Sequence, residues 1–180
     1  EATTGETPGV TVVEAIPGVE RLYVGDLAAV PGRFQVIGLI HALEHIPEPR
    51  QFLLRLADKL EPGGLLVVQV PDCGANAFMY LVADHASHFY VATLRELVAS
   101  AGYEVVTAVN DWVAKELTVV ARKPASSASP RPMGRTLDTE AAVRSRLAWL
   151  EGIVQMTRRL AAGENFGLFG TSIAATWLYG

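Results

Sequence analysis

Residues 34–72 read FQVIGLIHALEHIPEPRQFLLRLADKLEPGGLLVVQVPD, and the order of patterns within them decides the fold. Phe34–Ile40 is nearly all apolar, with Gly38 the only break in bulk, and Leu65–Val70 (LLVVQV) is a second such run. Runs of this kind suit parallel strands covered on both faces, because a half-exposed strand would alternate. Pro47 and Pro49 punctuate the chain after the first run, and Arg50–Leu60 predicts a helix. Phe52, Leu56 and Leu60 fall on one stripe, with Leu53 and Ala57 beside it. Glu61-Pro62-Gly63-Gly64 is expected to stop that helix. Strand, loop, helix, glycine turn and strand make one right-handed βαβ unit, with Phe34–Ile40 expected as an interior parallel strand.

Upstream, Glu1–Gly9 reads as an irregular start. Val10–Val13 is a β-branched candidate strand, and Arg21–Val24 is another, ending at Gly25-Asp26. Downstream, Ala75–Ala83 predicts a short helix. Thr93–Ala101 predicts a clearer one, with Leu94, Leu97 and Val98 on one face and Gly102 at its end. Tyr103–Val109 and Glu116–Arg122, parted by Asn110-Asp111, predict an antiparallel strand pair. Lys123–Arg135 is rich in proline and serine and reads as a linker, taken to span 123–137. Thr139–Ala162 carries Leu147, Leu150, Ile153 and Val154 at helical spacing. Phe166–Phe169, Gly170-Thr171-Ser172 and Ile173–Leu178 then read as strand, turn and helix, the opening of a second α/β unit over 138–180. The expected class is α/β: an incomplete doubly wound sheet with an antiparallel C-terminal pair, then a helix and the start of that second unit.

Half of the 180 residues are hydrophobic and 19% are charged, so a sizeable core is expected and disorder throughout is excluded. A net charge of −4 offers no electrostatic footprint for nucleic acid or an anionic membrane. No apolar run approaches the length of a membrane span. One cysteine, Cys73, cannot form an internal disulfide, which makes a reducing cytoplasm the expected compartment. The chain opens on Glu1 and closes on an apolar segment, so a piece of a longer protein is expected. The apolar ends also admit a homodimer.

The segment from His41 to Asp72 resembles the fourth strand, fourth helix and fifth strand of class I S-adenosylmethionine-dependent methyltransferases. The likeness is to the subgroup with an H-x-L-E-H and L-x-P-G-G signature, here His41–His45 and Leu60–Gly64. His85–Val106 (HASHFYVATLRELVASAGYEVV) is similar to the next stretch of that subgroup, with its SHF loop and its AG-aromatic-E-V strand. The resemblance covers roughly residues 20–122. It implies S-adenosylmethionine as cofactor of the full-length protein and a small molecule as acceptor. Residues 1–122 would then be a methyltransferase-like domain without its first strand and glycine-rich turn, since no G-x-G precedes Phe34. Phe166–Gly180 is also similar to the start of the extra domain in sugar C-methyltransferases. That likeness implies a nucleotide-linked sugar or glycan precursor as acceptor. The plain first βα unit of a truncated domain is an equal reading, and the Gly-Thr-Ser helix start could instead hold an anion.

Ligands in open α/β sheets sit beyond the carboxyl ends of parallel strands. His41, Glu44 and His45 follow Ile40 directly, which places them at that edge. A histidine there can take a proton from a hydroxyl or an activated carbon. His85 and His88 flank the SHF loop, which in the resembling subgroup lies near the substrate entrance, so either is a candidate substrate contact or proton shuttle; His45 and His88 are the candidate catalytic residues. Asp26, Leu27, His41 and Glu44 are the candidate cofactor contacts, Asp26 as acceptor of the adenine amino group and Leu27 as its neighbouring amide. Glu14 is a weaker match to an acid that holds ribose hydroxyls. The plainer alternatives are that His41 and Glu44 tie down the loop and that His88, Phe89 and Tyr90 pack it onto the sheet. No metal is expected, because His-x-x-Glu-His inverts the zinc-protease order and no further acidic ligand stands nearby on a helix. A rival function is a degenerate methyltransferase-like domain that binds or assembles without catalysis. A Rossmann-type nucleotide-sugar enzyme is weaker, for want of a dinucleotide fingerprint.

Overall fold

Leu66, Val68 and Val70 are fully buried, alternating with half-buried Leu65, Val67 and Gln69, and this period of two marks the strand around which the sheet is built. The computed structural model describes residues 10–125, 131–134, 139–162, 167, 169–170 and 172–179. The chain divides into two units, Glu1–Gly32 and Arg33–Gly180.

In the first unit, Val10–Glu14 forms a helix, α1, where a strand was expected. Four β-branched or small residues carry a β-preference of only about 1 kcal/mol, which context overrides. Arg21–Val24 is not a strand either. A strand needs a ladder partner, and among the described residues this segment has none; the Leu22 amide instead donates to Glu14 Oε1 at 2.9 Å.

The second unit holds β1 (Phe34–Ile40), α2 (Pro49–Leu56), β2 (Leu60–Pro71), α3 (Val91–Ser100), β3 (Glu104–Val109), β4 (Glu116–Arg122), α4 (Thr139–Ala161) and α5 (Ile173–Tyr179). The sheet order is β1-β2-β4-β3. The β1-α2-β2 unit is parallel, as expected, with Val36 beside Leu65 and Ile40 beside Gln69. Strand β4 runs antiparallel to both β2 and β3, with Pro71 beside Glu116. The expected antiparallel pair therefore wraps back so that its second strand, not its first, adjoins β2.

Strand β1 is not interior. It pairs only with β2 among the described residues, and Phe34, Val36 and Ile40 are exposed; Leu39 alone is buried. An apolar run reports that a strand can be covered, not which neighbour covers it, and here one edge and most of both faces lack cover.

Helix α2 is also shorter than its apolar stripe. It ends at Leu56, one 3-10 turn follows, and Leu60 already belongs to β2. Pro62-Gly63-Gly64 lies inside that strand as an irregularity, across which the pairing with β1 jumps from Phe34–Leu60 to Val36–Leu65. Gly63 takes φ +80°, and a Cβ on Gly64 would sit 2.9 Å from the Glu61 carbonyl oxygen and 3.1 Å from that of Gln35. Of the predicted stripe, Leu56 and Leu60 are buried while Phe52 is only half-buried; Leu53 beside it is buried instead and faces the core with Leu56, Leu60 and Leu94, Leu97 and Val98 of α3. Each such side chain contributes about 1.5–3 kcal/mol by burial. The Tyr103 hydroxyl donates to the Leu53 carbonyl at 2.8 Å and joins α2 to the turn after α3, where Gly102 takes φ +93° as expected.

The short helix expected over Ala75–Ala83 is a 3-10 turn, Ala77–Leu81, capped by the Asn76 side chain on the Phe78 amide. Phe78 meets Trp149 of α4 and Trp177 of α5 edge-on, at 5.5 and 6.3 Å between ring centroids. Only Leu150 is buried on α4; Leu147 is 48% exposed, so its stripe is partly unfilled. Phe166 and Leu168 of the expected Phe166–Phe169 strand, Thr171, and the linker positions 126–130 and 135–137 lie outside the described residues.

Candidate functional site

The ladder between β1 and β2 extends one residue past the strand, the His41 amide donating to the Gln69 carbonyl at 2.9 Å. His41 then adopts φ +48°, a left-handed conformation that histidine tolerates better than bulkier residues. This turns the chain off the sheet into a 3-10 turn, Leu43–His45, anchored by fully buried Leu43. The Ser87 amide donates to the Glu44 carbonyl at 3.0 Å and draws the 85–88 loop against that turn. On the other side, β4 begins at Glu116, next to the end of β2, after Lys115 at φ +66°. Two non-glycine residues in left-handed backbone flank one spot, which is how strain concentrates at sites.

His41 lies between two carboxylates. Its Nδ1 is 3.5 Å from Glu44 Oε1, and its Nε2 is 3.5 Å from Glu116 Oε2. Burial pushes the Glu116 carboxyl up, and the opposing charge of His41 partly restrains it. Glu44 is only 2% exposed, and neither of its carboxylate oxygens has a hydrogen-bond partner. His45 directs Nδ1 at the Asp84 backbone oxygen (3.1 Å) and side chain (3.3 Å), and Nε2 towards Glu44 Oε1 at 4.0 Å. His85 meets the His45 ring edge-on at 4.9 Å, and burial lowers its basicity.

His41, Pro71, Asn76, Met79, His85 and Glu116 are among the residues that line a cavity of about 360 Å³, within the range of small-ligand sites. A larger groove along α3, about 720 Å³, runs past Arg95, Glu96 and Arg131 and brings no histidine with it. His45 and His88 are not among the residues lining the smaller cavity. The His88 ring stacks on Tyr80 at 4.9 Å, with Nε2 3.2 Å from the Met79 carbonyl oxygen, and Phe89 beside it is buried. That is the packing arrangement weighed above. Nothing in the sequence marks Glu116 beyond the strand start after Asn110-Asp111; of the two histidines that flank the SHF loop, His85 lines the cavity and His88 does not.

In the first unit, Asp26 caps the 3-10 turn Leu27–Ala29, its Oδ1 accepting from the Ala28 amide at 2.7 Å. Its carboxylate is exposed and Leu27 is half-buried.

A parallel βαβ unit closed by an antiparallel pair, with a histidine-lined cavity at the carboxyl ends of β1 and β2, defines a Rossmann-like α/β domain with a ligand cleft. Compared with known proteins, residues 10–108, more than half of the chain, match the family described as methyltransferase domain, and the chain belongs to that family. It is 37% identical over 83 residues to trans-aconitate 2-methyltransferase of Deinococcus radiodurans; the match covers 46% of this chain and 29% of that protein. The chain thus spans under a third of that relative's length. Among solved structures it is similar to a candidate methyltransferase from Bacillus halodurans C-125, at 15% identity and a TM-score of 0.50, over 64% of this chain and 78% of that one. It is also similar to the complex of a candidate methyltransferase with the Trm112 activator from Haloferax volcanii, at 15% identity and a TM-score of 0.49, over 59% of this chain and 62% of that one. No helix among the described residues is long and apolar enough to cross a membrane.

The family implies S-adenosylmethionine. Asp26 and Glu14 each give one carboxylate oxygen to a backbone amide of their own segment, Oδ1 to Ala28 at 2.7 Å and Oε1 to Leu22 at 2.9 Å. The sequence before Phe34 has no G-x-G, the turn whose backbone amides approach the methionine end in such folds.

Proposed function

We propose that this chain carries the acceptor side of an S-adenosylmethionine-dependent methyltransferase that acts on an oxygen or activated carbon of a small molecule, with His41 as the proton acceptor. The observation that carries the reading is the His41 ring, at a cavity wall beyond β1, with a carboxylate 3.5 Å from each nitrogen. S-adenosylmethionine supplies an electrophilic methyl group when bound. The chain's own residues do the rest: the cavity holds the acceptor, His41 takes its proton, and Glu44 and Glu116 stabilise the imidazolium that results. Positioning and exclusion of water carry much of such a displacement. The acceptor is polyoxygenated and small in this reading. A nucleotide-linked sugar or glycan precursor is one candidate, and a small carboxylate like that named for the Deinococcus relative is another. Without a glycine-rich turn before β1, these 180 residues are inactive by themselves.

The test is transfer of labelled methyl from S-adenosylmethionine in the full-length protein that carries these residues, against a panel of carboxylates and nucleotide-linked sugars. His41→Asn, which keeps the left-handed backbone accessible, is expected to lower kcat by roughly 10²–10⁴ while cofactor affinity holds. A rate that His41→Asn leaves within a factor of a few would refute the assigned base. Acceptor binding without any transfer would favour a degenerate binding domain.

A further inference from the structure

We propose that Glu44, His45 and His85 form a binding site for a divalent transition-metal cation of the zinc type. One ligand atom from each lies within 4.8 Å of the others. The spacing His-x-x-Glu-His offers adjacent donors from a single turn and so reads as no metal motif. The third donor arrives from a distant loop, which the Ser87–Glu44 backbone bond holds in place.

Two observations point to a cation. First, Glu44 is almost fully buried and neither oxygen is hydrogen-bonded; the half-exposed His41 ring approaches Oε1, at 3.5 Å, and is its nearest possible counter-charge. A buried carboxylate in that state is costly unless a positive charge joins it. Second, His45 is already oriented as a ligand. Its Nδ1 meets the Asp84 carbonyl and carboxylate, which selects the tautomer with the Nε2 lone pair on the Glu44 side. Such an outer partner accompanies almost every metal-bound histidine.

One carboxylate and two imidazoles is a donor set for zinc or its first-row neighbours; calcium and magnesium take oxygens. Bonds near 2.0–2.1 Å place tetrahedral ligands about 3.4 Å apart. The widest pair in the cluster therefore closes by up to about 1.4 Å, through rotation of the His45 and His85 rings onto the fixed Glu44. His85 also lines the 360 Å³ cavity, which leaves a fourth position open to it. There the ion would hold an acceptor oxygen; that role rests on the methyltransferase reading, while the binding itself does not.

The experiment is calorimetric titration of ZnCl₂ into the chelator-stripped chain at neutral pH, with CoCl₂ as a spectroscopic probe of low coordination number. Expected is saturable one-to-one zinc binding and a visible cobalt band, with zinc affinity weakened about tenfold or more by both Glu44→Gln and His85→Ala. Circular dichroism of the stripped variants shows whether each folds. If Glu44→Gln does not, His85→Ala in the loop carries the comparison, with the loss of the cobalt band as its second readout. No saturable binding up to about 100 µM zinc, or an affinity that a folded variant leaves within a few-fold of the parent, would overturn the site.

Discussion

Lys123 closes the seam where α2 gives way to β2, and replacing it tests how that seam is held. Its ammonium donates to the carbonyls of Ala57 (2.7 Å), in the 3-10 turn after α2, and Leu60 (2.8 Å), the first residue of β2. Its own backbone meets Gly63 and Gly64, each at 2.9 Å, so the side chain is carried to its acceptors by an extension of the sheet. Lys123→Met keeps the stem and removes the charge. A hydrogen bond from a charged group contributes about 1.5–3 kcal/mol. Lys123 is half-buried, and water can replace part of what is lost, so about 2 kcal/mol for both bonds together is the reasoned loss. For a chain of this length that corresponds to a fall in Tm of roughly 4–8 °C. Urea unfolding followed by circular dichroism measures it, with Arg122→Met, one residue away and exposed, as a control expected within about 0.5 kcal/mol. A loss at Lys123 no larger than the control's would refute the assignment of these two bonds as a clamp on that seam.

Two further outcomes follow from single groups. The Arg131 guanidinium, at 2.6 and 2.9 Å, and the Gly134 amide hold the Glu96 carboxyl down to about 2. A depressed acid stabilises the fold above its unfolded value near 4.5 and loses that contribution as pH falls towards 2; a carbon-13 titration of the Glu96 side chain with a midpoint near 4.5 would contradict the contact. Burial pushes the Cys73 thiol up to about 11, and the residue is 2% exposed. An aromatic disulfide reagent at pH 8 is therefore expected to label it slowly in buffer and fast in denaturant, and rapid labelling of the folded chain would count against its burial.

The βαβ unit was legible because two apolar runs, an apolar stripe and Pro-Gly-Gly all agree locally. The border position of β1 was not, since Phe34, Val36 and Ile40 look the same in sequence whether or not a neighbour covers them. Val10–Val13 misled through a preference too weak to decide five residues. At the site, the placement of His41, Glu44 and His45 beyond a strand end followed from the pattern. Their partners did not: Glu116 comes from an antiparallel strand and His85 from a loop, and no spacing rule links either to the His-x-x-Glu-His turn.

The backbone at His41 screens its occupants twice. Torsion admits glycine, asparagine and aspartate readily, and none of them brings an imidazole. Aliphatic replacements neither suit the torsion nor move protons. Sequence drift away from histidine at this corner therefore leads to a loop of the right shape that is chemically mute, or to one bent out of register with the cleft it serves.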